Sequence, residues 1–270
     1  MSQLAICPSD ALPPITWSKL PADFVLPDEP VESLVQPLLA AALTEALDLA
    51  GWIAAEMLIA SNMAICAKID GKTVVKAPDW FYVSRAFPVA EGAIRRSYAP
   101  HTEGDVPAVV MEFLSETDTG EYSIRPTYPY GKLWFYEQIV RVPIYVIFEP
   151  SSGLLEVRQL NPSGSYERQA PDAQGRYWIP SMGLSLGVWH GRRLENTIHW
   201  LRWWDESGNL LLWGFERLAE ERQRVEQERQ RAEQAELELE QERQKAEQEK
   251  ARADRLAARL KAMGIDLEAE

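Results

Sequence analysis

Two carboxylates and one lysine carry the chemistry most easily read from this chain. Asp79 follows Pro78 at the head of the apolar run Trp80-Phe81-Tyr82-Val83, and Glu112 lies inside another such run, AVVMEFL. A carboxylate in a buried strand is costly unless it gains a partner, a cation or a proton. A hard divalent ion such as magnesium would supply the cation, taking carboxylate oxygens from neighbouring strands together with water. Lys132 opens a predicted helix over 131–139, and that helix stands between two predicted strands. A strand–helix–strand crossover would bring Lys132 to the strand end that carries Glu112. Two acids and a lysine that converge can hold a metal, activate a water and offset charge developing on a phosphate. The same residues allow a plainer arrangement, in which Glu112 faces outward from a half-exposed strand. Both stand at this point.

Other chemistries have less support. There is no glycine-rich phosphate loop, no HExxH and no Cys/His cluster. His101, His190 and His199 sit in turn-rich or tryptophan-rich text and read as structural, with GVWHG at 187–191 read as a strand-end turn. Trp189, Trp200, Trp203 and Trp204 could stack bases, but large aromatics on short strands more often pack a core or its rim. Paired carboxylates also serve sugar-cleaving enzymes, yet scattered tryptophans are the sole hint of a sugar platform.

The elements that must position these residues follow from periodicity. A helix is expected to start near Asp28-Glu29-Pro30, where acidic residues and proline suit the free N–H groups of a first turn. It ends at Gly51. Pro37 should kink it or move its true start later, and Leu34, Leu38, Leu39, Leu43 and Leu47 fall on one buried face. From 52 to 160 the runs AEMLIASNMAICAKI, TVVKAPDWFYV, PAVVMEFLS, PIYVIFEP and LLEVRQL read as strands. Beyond 163 come short turn-rich strands, with a hairpin expected over Glu206 to Asn209. Residues 1–27, rich in proline, read as an irregular arm. The expected fold class is mixed α/β: a central mixed sheet flanked by helices, with a long C-terminal helix or coiled coil.

That last helix is written in heptads. Val225, Ala232, Leu239, Ala246, Ala253 and Leu260 share one position; Glu221, Glu228, Ala235, Glu242, Glu249 and Leu256 share the next seam position. A dimeric seam wants apolar residues at both, so this one is thin. Helix propensity is nonetheless high, with many opposite charges three or four residues apart. A homodimer or a partner helix through 215–262 and a solvated single helix are both compatible with this pattern. The division expected is an arm at 1–27, a domain at 28–214 and a charged helix at 215–270.

Of the net charge of −13, the tail from Glu216 carries 16 acidic and 12 basic residues, which leaves −9 on the body. That opposes a broad phosphate-binding face, although a local basic groove depends on distribution as well as total. No apolar run reaches the roughly 18–20 residues that span a bilayer. The first ten residues lack the features of a signal peptide, and Cys7 and Cys66 form no disulfide framework. A cytoplasmic protein is the expectation.

The segments DEPVES (28–33), KAPDWFYV (76–83), PAVVMEFLS (107–115), YGKLWFYEQIVRVPIYVIFEP (130–150) and LSLGVW (184–189), with the heptad tail ending LAARLKAMGIDLE, resemble the Uma-two family of restriction-endonuclease-like proteins. That family is assigned to the PD-(D/E)XK nuclease superfamily. The resemblance implies a restriction-endonuclease-like fold with Asp79 and Glu112 as ligands of magnesium or manganese on adjacent antiparallel strands. It implies Lys132 as the catalytic lysine, shifted onto the following helix, since Leu114 stands where the superfamily lysine usually falls. Glu32 and Ser115 match accessory positions. The segment after Ser115 departs from the family's turn, and Glu116, Asp118 and Glu121 do not align with it. The implied activity is metal-assisted phosphodiester hydrolysis in nucleic acid, DNA ahead of RNA. The alternative is an inactive nuclease-like scaffold acting through its C-terminal helix.

Overall fold

The computed structural model describes residues 14–18, 34–114 and 120–262. The chain divides into Met1–Trp213 and Gly214–Glu270. The first unit opens with strand β1 (Ile15–Thr16), helix α1 (Val35–Leu49) and strands β2 (Leu58–Ala60), β3 (Ala64–Ile69), β4 (Lys72–Lys76) and β5 (Trp80–Val83). β6 (Ser97–Tyr98), β7 (Val109–Phe113) and a 3-10 turn (Gly120–Tyr122) follow, then helix α2 (Lys132–Trp134), which widens directly into a π-helical stretch (Phe135–Val140). β8 (Ile144–Glu149), β9 (Leu154–Leu160), β10 (Tyr166–Arg168), β11 (Tyr177–Ile179), β12 (Leu184–Arg193) and β13 (Asn196–Trp204) complete it.

The architecture is mixed α/β, and its central sheet has the order β10-β9-β8-β7-β5-β2. β5 runs antiparallel to β7, whereas β7 and β8 are parallel and joined through the helical segment 132–140. β5, β7 and most of β8 are buried on both faces, which is why they read as apolar runs, with Glu112 the one charged residue inside β7. Strand alternation sorts their side chains between two cores. Trp80, Tyr82, Val109, Met111, Phe113, Val146 and Phe148 pack with α1 and with the sheet β11-β12-β13. Phe81, Val83, Val110, Tyr145 and Ile147 pack with β3, β4 and the 132–140 helix. Glu112 shares the parity of Val110, so it faces that helix.

Each face of the central sheet is thus covered by a helix and by a small second sheet, where the sequence suggested helices alone. The arm is not wholly irregular either: Ile15 and Thr16 pair with Ile69 and Lys68 of β3, and Ile15 packs on the core beneath. α1 begins at Val35, and Pro37 falls in its first turn, where a missing N–H costs no bond. The expected start at 28–33 lies outside the described residues. Leu39, Leu43 and Leu47 are buried as their spacing predicts, but Leu34, outside the first turn, is exposed. At the other end Gly51 takes a positive φ and the Trp52 N–H returns to Leu47 O at 3.0 Å, a glycine-terminated helix end.

The read of GVWHG as a strand-end turn is corrected. Residues 187–191 are interior to β12, and the reversal comes at Leu194 and Glu195, both at positive φ, between paired Arg193 and Asn196. Gly187 and Gly191 are there for room: a Cβ on Gly191 would lie 2.0 Å from the Trp189 ring. The turn at 205–209 exists, but a single bridge, Trp204 to Leu210, follows it. In the second unit, α3 (Gly214–Ala262) is one continuous helix that buries none of its residues, with Glu216 in its first turn and Arg259 and Lys261 in its last, as the dipole favours.

Candidate active site

Asp79 comes immediately before β5, whose register pairs Trp80 with Met111. One further step of that antiparallel ladder sets Asp79 opposite Glu112. The Asp79 carboxylate accepts the backbone N–H of Phe113, which fixes it at the end of β7. Gln36, in the first turn of α1, donates to Phe113 O at 2.7 Å and brings the start of that helix to the same strand end.

Glu112 is 1% exposed and both of its oxygens are engaged. Lys132 Nζ donates to Oε2 at 3.2 Å, and the Tyr136 hydroxyl donates to Oε1 at 3.1 Å. Lys132 and Tyr136 stand four residues apart, one helical turn, so a single face of the crossover helix meets the carboxylate. Lys132 Nζ also donates to Glu121 Oε1 at 3.2 Å. Glu121 is buried in the 3-10 turn, whose backbone is anchored by Tyr145 donating to Glu121 O at 2.9 Å. Its second oxygen, Oε2, is buried with no hydrogen-bond partner among the described residues.

Gly131 lets these pieces meet. A Cβ at that position would lie 2.0 Å from Ser123 O, so only glycine allows the loop after Glu121 to lie against the start of α2. Just ahead of Lys132, Tyr130 stacks on Trp134 with centroids 4.9 Å apart, and exposed Tyr128 stands edge-on to Tyr130. Lys72 Nζ lies 5.7 Å above the Tyr128 ring.

Glu112 and Glu121 share the Lys132 ammonium, and Asp79 lies near enough to act on both Glu112 and Lys132. Burial pushes the Glu112 carboxyl up to about 8, against the pull of Lys132 and with the help of Asp79 and Glu121. Burial also works against the Lys132 ammonium, but Glu112, Glu121 and Asp79 outweigh it and its pKa is raised. The Tyr136 hydroxyl is raised well above its ordinary value by burial and by Glu112, so it stays a donor. At neutral pH Glu112 therefore holds its proton more readily than a solvent-exposed glutamate does.

A hard divalent cation fits this donor set. Among the described residues no three His, Cys, Asp or Glu side chains form a ready cage. Magnesium, however, is commonly held by one or two carboxylates and water, and Asp79 and Glu112 are such a pair. Of the residues predicted from sequence, Asp79, Glu112 and Lys132 are thus gathered at one strand end, while Glu32 and Ser115 lie outside the described residues. Glu121 and Tyr136 were missed. Tyr136 had a signal, its four-residue spacing from Lys132. Glu121 had none, because a long loop delivers it.

Comparison with family models gave no match, and comparison with curated proteins gave none.

Proposed function

We propose that the body is a metal-dependent nuclease with a restriction-endonuclease-like core, hydrolysing phosphodiester bonds in nucleic acid, DNA ahead of RNA. The observation that carries this is the meeting of Asp79, Glu112 and Lys132 at one end of β5 and β7, with Glu112 and Glu121 sharing the Lys132 ammonium. The order α1, β2, β5, β7, crossover helix, parallel β8 supports the fold, with the acids on neighbouring antiparallel strands. The exposed ring of Tyr128, four residues from Lys132, offers a base a surface to stack on, while Tyr130 is stacked on the buried Trp134.

Asp79 and Glu112 would hold magnesium or manganese. When bound, the ion supplies positive charge to a phosphoryl oxygen and acidifies water. The Tyr136 hydroxyl keeps the Glu112 carboxylate in one orientation, and Glu121 takes one of the three N–H donors of Lys132 and aims the ammonium. Lys132 Nζ then stabilises the attacking hydroxide or the charge on the pentacovalent phosphate. The attacking water gives one proton to solvent as its oxygen bonds to phosphorus, the bond to the leaving oxygen breaks, and that oxygen takes a proton back from solvent.

A second reading has its own support. The body carries −9, and Lys132 is already engaged by two carboxylates, both of which suit a scaffold that presents surfaces rather than cuts. The test is cleavage of plasmid, single-stranded DNA and RNA by purified protein with magnesium or manganese. Cleavage that Asp79→Ala, Glu112→Gln and Lys132→Met each abolish supports the nuclease. Wild-type protein that cuts no better than Asp79→Ala would leave the scaffold.

A further inference from the structure

Two of the chain's three histidines stand opposite one another on the β12–β13 hairpin: His190 pairs with His199. The two-residue turn at Leu194 and Glu195 sets the ladder, making Arg193–Asn196 a hydrogen-bonded pair. Alternation then makes His190–His199 a non-hydrogen-bonded pair, the kind whose side chains lie closest. Their ring centroids are 4.6 Å apart. Neither ring is in the buried core: His190 is exposed and His199 half-buried.

His199 is held in the manner of a metal-binding imidazole. Its Nδ1 lies 3.2 Å from Pro150 O. A backbone carbonyl can only accept, so Nδ1 carries the proton and Nε2 keeps its lone pair. The ring is seated against Gly153, where a Cβ would come within 2.7 Å of Cδ2; glycine at positive φ is what leaves room for it. No group among the described residues bonds His199 Nε2 or either ring nitrogen of His190.

We propose that His190 and His199 form a binding site for a borderline divalent transition-metal ion of the zinc, nickel or copper type. Imidazole nitrogens suit such ions, whereas magnesium and manganese prefer carboxylate oxygen. Two adjacent imidazoles on a rigid hairpin chelate with little ordering cost, the Pro150 carbonyl fixes the tautomer, and water fills the remaining positions. This site is separate in residues and chemistry from the Asp79–Glu112 cluster and does not depend on the nuclease reading.

The experiment is calorimetric titration of the full chain, freed of metal with chelator, with nickel and then zinc. In Glu112→Gln, where the Asp79–Glu112 pair is broken, the expected result is one site that excess magnesium and the further change His101→Ala leave unaffected. Either His190→Ala or His199→Ala should weaken it by more than the roughly 10–100-fold that loss of an outer-shell partner costs. His190 is exposed, so His190→Ala tests the site without threatening the fold, and circular dichroism verifies that. No nickel or zinc binding by the wild type, or an affinity unchanged in His190→Ala, would overturn the proposal.

Discussion

Glu112 shows how burial, charge and function meet in one side chain. Its pKa of about 8 in the folded protein lies above the ordinary 4.5, so the native state keeps a proton that the unfolded chain gives up. The sign follows from linkage: this contribution to stability is complete below pH 4.5 and is lost as pH rises to about 8. The raised Lys132 pKa acts in the same sense only above its ordinary 10.5. The urea midpoint is therefore expected to fall between pH 4.5 and 8, and Glu112→Gln should flatten that part of the profile. An identical slope in both proteins would contradict the assignment. Metal binding needs the ionised carboxylate, so manganese bound at pH 7 should release a proton that calorimetry in buffers of different ionisation enthalpy detects. Lys132→Met removes a shared donor from Glu112 and Glu121 and is expected to cost about 1–3 kcal/mol in urea melts. Asp79, Glu112 and Lys132 were legible because acids and lysines stand out in apolar runs. The pair His190 and His199 was read as structural, since the eight positions between them say nothing about pairing until the turn at Leu194 is known.

At the level of elements, the crossover helix is the piece that assembles the site. It holds a standard helical turn only over Lys132–Trp134 before widening at Phe135–Val140, and such insertions are frequent at functional positions. Gly131→Ala places a methyl group on Ser123 O, so either the Glu121 loop or the start of α2 must move. The expected cost is about 1–3 kcal/mol, the range for overpacking, with a loss of activity larger than the loss of stability implies, because Lys132 is displaced. Thermal melts and single-turnover cleavage measured on the same sample decide this; unchanged activity would show that the loop does not position Lys132. The strands around the site were readable from their apolar runs. The lengths of β12 and β13 were not, because glycines at 187 and 191 read as turn residues when in fact they make space for Trp204 and Trp189.

Over the whole molecule, charge and burial distinguish the two units. Met1–Trp213 holds both apolar cores, and among the described residues of Gly214–Glu270 none is buried. No helix among the described residues is long and apolar enough to cross a membrane. Truncation after Leu218, which keeps Gly214–Arg217 and their interactions, is expected to leave the melting temperature of the body unchanged, within about 0.5 kcal/mol of stability, the usual range for surface changes. A marked loss in differential scanning calorimetry would show that the helix contributes to the fold. The helix itself was legible from composition alone. The small sheets flanking the central one were legible only in part: β3–β4 and β11–β12–β13 join sequence neighbours, but β1 and β6 reach β3 across long stretches of sequence, and periodicity carries no record of which strand meets which.

The most direct test of the central claim is a crystal of the protein soaked in manganese, with anomalous scattering used to find the ion. An anomalous peak is expected at the Asp79–Glu112 pair, and its loss is expected in Glu112→Gln. A saturating soak that leaves Glu112 bonded to Lys132 and Tyr136, with no ion between the two acids, would contradict it.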